Sequence, residues 1–414
     1  MPTKPSKPWP PSRKRPGLVF SQRSLFETNP NPLTEALARR RNQNLPILDL
    51  TGTNPTGCGL ARQVAEQQAL AYLGQPQASL YTPSAQGIFD ARKNLSTYLS
   101  THLSTISPED LHLVASSSEA YSHLFKLLCN PDDTVLVPRP SYPLIDHIGQ
   151  WNDVDIQSYP LIYQQNRWKI DMQGLKNALD SRTRAIVVIQ PGNPTGATLS
   201  LNERDELSAF CAKWNCAIIS DEVFAEFYPH SLHKAFAPLP ASFLGWAGCL
   251  SFTLGGLSKS LGLPQFKLGW IASTGPGAEE ARTRLDFLCD TFLSVSTPLQ
   301  AALPDLLALA PALREPIRTR LQKASEALKA ALSGSNVIFH GLTGGWCGLL
   351  EIPGLPDDEA FAIRLLEETG VLLQPGYLYD FPSEAMLVVS LLTPPADLAR
   401  GAQSLRELAC SIHP

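Results

Sequence analysis

Charge is scarce in this chain of 414 residues: 17% are Asp, Glu, Lys or Arg, and 34 basic against 38 acidic side chains leave a formal net charge of −4. With a pI near 6.1, the chain has no general attraction for nucleic acid or an anionic membrane surface, so an anionic ligand must be held by a local site. No apolar run is long enough to span a bilayer, and membrane insertion is not expected. The 8 cysteines form no CxxC pair and scatter through apolar segments such as "AFCAKWNCAII". That distribution argues against a disulfide frame or a zinc site and suits small buried thiols in the cytoplasm. What is abundant is apolar: 43% of residues are hydrophobic, enough for a large core and for two domains.

The N-terminus, "MPTKPSKPWPPSRKRPGLVF", is basic and proline-rich without the apolar core of a secretory signal, and reads as a flexible arm over residues 1–24. Further on, β-branched apolar runs alternate with helical patterns: "DTVLVPRPSYP", "TRAIVVIQPGNPTG", "CAIISDEVF", "CLSFTLGG" and "LGWIAS", with "SEAYSHLFKLLC" before them and "NERDELSAFCAKW" between. Such alternation implies an α/β fold, a mostly parallel central sheet with helices on both faces. After Pro311 a long helix pattern, "LREPIRTRLQKASEALKAALSG", ends at Gly334 and is followed by mixed short strands and helices. The expected organisation is a large domain over 61–310, a smaller C-terminal α+β domain over 311–414, and an N-terminal segment, 25–60, packing on the small domain.

One stretch stands out within "LSFTLGGLSKSLGLPQFKLGWIAS": from Leu250 to Phe266 the only ionisable side chain is Lys259. A lysine among apolar groups tends to a depressed pKa and, as a neutral amine, attacks aldehydes; the alternative is a snorkelling lysine at a helix end. Three other strand ends carry unusual polar residues: Asn193 in "QPGNPTG", Asp221 after "AIIS", and Tyr142 in "PRPSYP". Singly these are a turn former, a helix cap and a packing residue. Together they lie where the carboxyl ends of parallel strands converge on one cleft.

"NPTG", "DEVF" and "GLSKSLGLPQFKLGW", in that order, with "YTPSAQG", "ARKNLSTYL", "SSSEAY" and "PSYP" upstream, resemble the class I and II aminotransferases, fold-type-I pyridoxal-phosphate enzymes, over roughly Leu48 to Leu392. The resemblance implies that Lys259 holds pyridoxal 5'-phosphate as a Schiff base and moves the substrate proton. It implies further that Asp221 meets the ring nitrogen, Asn193 donates to the phenolic oxygen and Tyr142 stacks on the ring. Ser117, Ser118, Ser258 and Lys267 would hold the phosphate, with Tyr81 reaching the neighbouring subunit's phosphate in a homodimer. Thr53, in "LTGTNPTG", is the choice for a substrate-facing loop.

The chain departs from the family pattern at Phe224, usually Tyr, and at Lys267, usually Arg. It departs also at Val388 in "MLVVSLL", where an arginine usually grips the substrate α-carboxylate. No Lys, Arg or His occurs from Leu365 to Ala399. Arg139 or an arginine of the N-terminal arm could supply that charge, or the substrate could lack an α-carboxylate. The expected function is transfer of an amino group from an amino acid or amine to a 2-oxo acid by a ping-pong mechanism. A carbon-sulfur β-lyase or a decarboxylase is the alternative, and a non-catalytic sensor is disfavoured by the intact lysine.

Overall fold

The buried apolar runs of the sequence become strands of one eight-stranded sheet. The computed structural model describes residues 20–26, 29–102, 105–228, 241–342 and 344–410; the basic run before Phe20 lies outside them. A short strand, β1 (Leu48–Asp49), comes first. The large sheet then takes β2 (Leu111–Val114), β3 (Thr134–Arg139), β4 (Asp155–Gln164), β5 (Arg167–Ile170), β6 (Thr183–Ile189), β7 (Ala217–Asp221), β8 (Ser251–Gly256) and β9 (Gly269–Thr274), in the order β2-β9-β8-β7-β6-β3-β4-β5. From β8 through β7, β6 and β3 to β4 the strands run parallel, while β9 is antiparallel to both its neighbours. Every residue of β7 and β8 is buried, as parallel strands covered by helices on both faces require. The expected α/β architecture is therefore present. β4 escaped the sequence reading because its ten residues mix buried and exposed positions without a clean apolar run.

The smaller unit is built on β10 (Ile338–Phe339), β11 (Cys347–Glu351), β12 (Val371–Leu372), β13 (Gln374–Pro375) and β14 (Met386–Ser390). Four of these make an antiparallel sheet ordered β10-β11-β14-β13, and β12 pairs in parallel with β1. The long helix leading into it spans Ala310–Ala331, stopping short of Gly334. Leu33, Ala36 and Leu50 share one apolar core with Leu321, Phe361, Leu365, Leu398 and Leu405, so the segment from Pro32 onward belongs to this unit. Asn31 joins it too, its Nδ2 donating to Tyr377 Oη at 3.2 Å, but residues 23–26 do not. Arg23 Nε donates to Asp153 Oδ1 at 2.8 Å, Gln150 Nε2 donates to the carbonyls of Arg23 and Leu25, and Phe26 stacks on Trp151. The chain around Leu25 and Phe26 is thus tied to the Leu144–Trp151 helix of the large unit, a difference from the boundary expected at residue 25. Among the described residues no helix is long and apolar enough to cross a membrane.

Lys259 rides on a one-turn helix, Leu257–Ser260, directly after β8. So short a helix has little stability of its own, and two buried arginines receive its last carbonyls. Arg314 Nε donates to Ser260 O at 2.7 Å and Arg62 Nη1 to Leu261 O at 2.9 Å. Arg314 also pairs with Glu226 at 3.0 Å. Removing one partner of a buried ion pair leaves the other charge uncompensated, at a cost of about 3–5 kcal/mol. Arg314→Ala, which leaves Glu226 only the looser contact of Arg318 and frees Ser260 O, is therefore expected to lower stability in urea unfolding by up to that order. Arg318→Ala, which removes a looser 3.6 Å contact to the same Glu226 from a side chain 33% exposed, should cost far less; equal losses would contradict this assignment.

Candidate active site

Four neighbouring parallel strands, β8, β7, β6 and β3, deliver Lys259, Asp221, Asn193 and Tyr142 from their carboxyl ends. Asp221 closes β7 and is fully enclosed: its Oδ1 accepts from Val223 N at 3.1 Å and its Oδ2 from Tyr121 Oη at 3.1 Å. Burial outweighs those bonds and the nearby Lys259 charge, and pushes the carboxyl up to about 6. Burial likewise lowers the pKa of the Lys259 amine, against the pull of Cys347 and Asp221. Its Nζ lies 5.1 Å from the Trp346 ring centroid and 5.6 Å from that of Phe224, and these two rings meet edge to face at 5.2 Å. Asn193 Oδ1 accepts from Cys347 Sγ at 3.6 Å. Phe224, Asn193, Asp221 and Lys259 are thus brought into one buried cluster.

Around it lie the other expected residues. Tyr142 is 42% exposed. Ser117 and Ser118 begin the Ser117–Leu128 helix, capped by Ser116, whose side chain accepts from Glu119 N at 3.2 Å. A helix start presents unpaired N–H groups and the positive end of its dipole, so it favours an anion such as phosphate. Ser258, half-buried, adjoins Lys259, and the exposed Lys267 sits at the left-handed residue (φ 52°) that ends the Pro264–Phe266 turn. Tyr81 is 70% exposed on the outer surface. Thr53 is exposed in a loop tied to the small unit, where Ser390 Oγ donates to Gly52 O at 2.6 Å. Val388 is buried on β14, in register with Leu349 and Gln374 and packed with Leu378, Tyr379 and Met386.

Arg139 does not present a free guanidinium. Its Nη2 is held at 2.5 Å by both oxygens of Asp146, and its Nε at 3.0 Å by Asp380. Two carboxylates already surround it, so as a receptor for a substrate carboxylate it is corrected to a tie between the two units. Three residues that sequence reasoning passed over line the site: Tyr121, Trp346 and Cys347. Tyr121 lay in the quoted "SSSEAY", one turn past the serines. Trp346 and Cys347 carried no signal, being apolar residues at the start of a short strand.

A half-buried amine of lowered pKa within electrostatic reach of a buried carboxylate, together with an amide, an aromatic ring and a helix start, is a residue set that suits an aldehyde cofactor with a basic aromatic ring and an anionic tail. Residues 51–405 match the family Aminotransferase class I and II, and the chain belongs to that family of pyridoxal-phosphate enzymes. It is 27% identical to nicotianamine aminotransferase 1 of Oryza sativa subsp. japonica, over 80% of this chain and 69% of that protein. It is 30% identical to the S-alkyl-thiohydroximate lyase SUR1 of Arabidopsis thaliana, over 59% of this chain and 52% of that one. The alanine aminotransferase of Pyrococcus furiosus shares the fold, with a TM-score of 0.82 and 20% identity over 94% of this chain and 99% of that one.

The raised Asp221 pKa makes a stability prediction for the cofactor-free protein. A carboxyl whose folded pKa, about 6, exceeds its ordinary value of 3.8 binds its proton more tightly when folded. Stability is then fully present below about pH 4 and is lost as pH rises through about 6. Asp221→Asn should stabilise the cofactor-free chain at pH 7.5 by up to about 3 kcal/mol and leave it nearly unchanged at pH 3.5, read by urea unfolding. A destabilised variant at pH 7.5 would show that the carboxylate is better solvated than its burial indicates.

Proposed function

We propose that this chain is an aminotransferase that works in two half-reactions, with Lys259 as the catalytic residue. The observation that carries the reading is the half-buried Lys259 amine, 5.6 and 5.1 Å from the Phe224 and Trp346 rings and within electrostatic reach of Asp221 and Cys347. When bound, pyridoxal phosphate supplies an aldehyde carbon and an electron-withdrawing ring. Lys259, whose charged form burial disfavours, would supply the nucleophile that holds that carbon and the base that moves a proton at the substrate's α-carbon. Asp221 keeps a proton on the ring nitrogen, because a buried carboxylate gains more from a cation than from a neutral ring. Asn193 donates to the phenolic oxygen, and Tyr142 covers the ring face. Ser117, Ser118, Ser258 and Lys267 hold the phosphate. Phe224 and Trp346 exclude water around the amine, which strengthens each of these interactions. In a homodimer Tyr81 would complete the partner's phosphate site.

The amino donor is an amino acid or amine and the acceptor a 2-oxo acid. A β-lyase remains the second reading, favoured by the likeness to SUR1. Lysine and ring serve both reactions, so the products decide. In a single-turnover screen, purified protein loaded with pyridoxal phosphate is mixed with one amine at a time. Recovery of pyridoxamine phosphate with a 2-oxo acid is expected for at least one donor, and Lys259→Ala should lower that rate by at least about 10³-fold. Release of ammonia together with a 2-oxo acid would replace the aminotransferase by the lyase.

Val388 is apolar and Arg139 is held by Asp146 and Asp380, so neither receives a substrate carboxylate. The arm before Gly17 is basic but lies outside the described residues. A chain lacking it should retain cofactor yet lose about tenfold or more in affinity for amino-acid donors, while binding amines without a carboxylate unchanged. Unchanged amino-acid kinetics would remove the arm from the site.

A further inference from the structure

Asn193 is the one side chain assigned above to the ring's phenolic oxygen, because Phe224 stands where the family usually has a tyrosine. Its orientation therefore matters, since only the NH2 end of an amide donates and the carbonyl end accepts. Across the contact between the two units, Cys347 opens β11 and its Sγ lies 3.6 Å from Asn193 Oδ1. The thiol is enclosed, and burial pushes it up to about 12 in spite of the Lys259 charge; it keeps its proton at neutral pH and is a donor. Strand pairing holds it in place, for Cys347 is in register with Ser390, which itself binds the loop at Gly52. With the amide reversed, its NH2 would face a sulfur, a weak acceptor, and its carbonyl would face the phenolic oxygen, a second acceptor. Both contacts would be worse.

We propose that Cys347 is a positioning residue for the cofactor site, its S–H donating to Asn193 Oδ1 and so turning Asn193 Nδ2 toward the phenolic oxygen of pyridoxal phosphate. This rests on the pyridoxal-phosphate reading of the site. Cys347 also interacts electrostatically with the Lys259 amine, but the effect proposed here runs through Asn193, from the small unit to a residue of the large one. A donor at the phenolic oxygen stabilises the state in which the lysine nitrogen bound to the cofactor has lost its proton. Weakening that donor should therefore raise the pH at which the proton leaves.

The test is a pH titration of the visible absorption of the loaded protein, which reads that proton without turnover. Cys347→Val fills similar space without a donor and is expected to raise the midpoint by about half a pH unit. Cys347→Ser restores a donor and should return the midpoint toward that of the native protein. In an Asn193→Ala background the Val substitution should have no further effect, because the intermediary is gone. If Val packs poorly and cofactor is not taken up, Cys347→Ala makes the same comparison. An unchanged midpoint in a loaded variant without the thiol overturns the proposal, as does a shift that persists without Asn193. Native protein that takes up no pyridoxal phosphate would instead overturn the reading beneath it.

Discussion

The site depends on one amine and one carboxylate, electrostatically coupled, whose charged forms burial disfavours. Lys259 and Asp221 are both disfavoured as ions by burial, and each is the other's partial remedy. Such a pair is not a stability device, because desolvation consumes most of the Coulombic gain. It is instead a store of unmet electrostatic demand. A ring cation beside Asp221 and an aldehyde at Lys259 would answer both, so binding energy falls where chemistry needs it. The scaffold behind the pair is correspondingly stiff: every residue of β7 and β8 is buried, and Arg62 and Arg314 fasten the short helix that carries the lysine. Tyr121 holds Asp221 from the Ser117–Leu128 helix. One hydrogen bond therefore joins the carboxylate to the helix proposed for the phosphate.

The parallel sheet was legible because strands buried on both faces must be apolar throughout, and the residues interrupting such runs at their carboxyl ends have few other places to be. Lys259, Asp221, Asn193 and Tyr142 were picked out in that way, each visible against an apolar background, and the structure places all four at the carboxyl ends of neighbouring parallel strands. Arg139 was misread for the same reason: a charged residue at a strand end counted as available, although its neutralising partners lie seven residues away at Asp146 and across the fold at Asp380. Pairings of that range leave no local pattern. Cys347 and Trp346 were invisible for the opposite reason, since an apolar residue in a strand is expected in a core, and only tertiary contact brings these two to a lysine. The stretch around Leu25 and Phe26 shows a third limit. Its attachment to Asp153, Gln150 and Trp151 rests on exposed and partly exposed contacts that no periodicity announces.

What distinguishes this chain within the site is the neutrality of the side that the small unit supplies. β14 offers Val388 and Ser390, β11 offers Cys347, and the serine is occupied with Gly52. Positive charge comes instead from the large unit, in Lys259, Lys267 and the start of the Ser117–Leu128 helix. A substrate carboxylate approaching the small-unit wall would meet a thiol and aliphatic surface, at a cost of several kcal/mol unless a cation comes from elsewhere. The same wall would accept an apolar group without penalty. Selectivity for the donor thus turns on whether a charge reaches that wall from outside the described residues. The arginine that might have served, Arg139, is used to hold the large unit to Asp380 of the small one. Freeing it would cost the tie between units before it gained a substrate contact, so this chain has committed to joining its domains a cation that another arrangement could have spent on recognition.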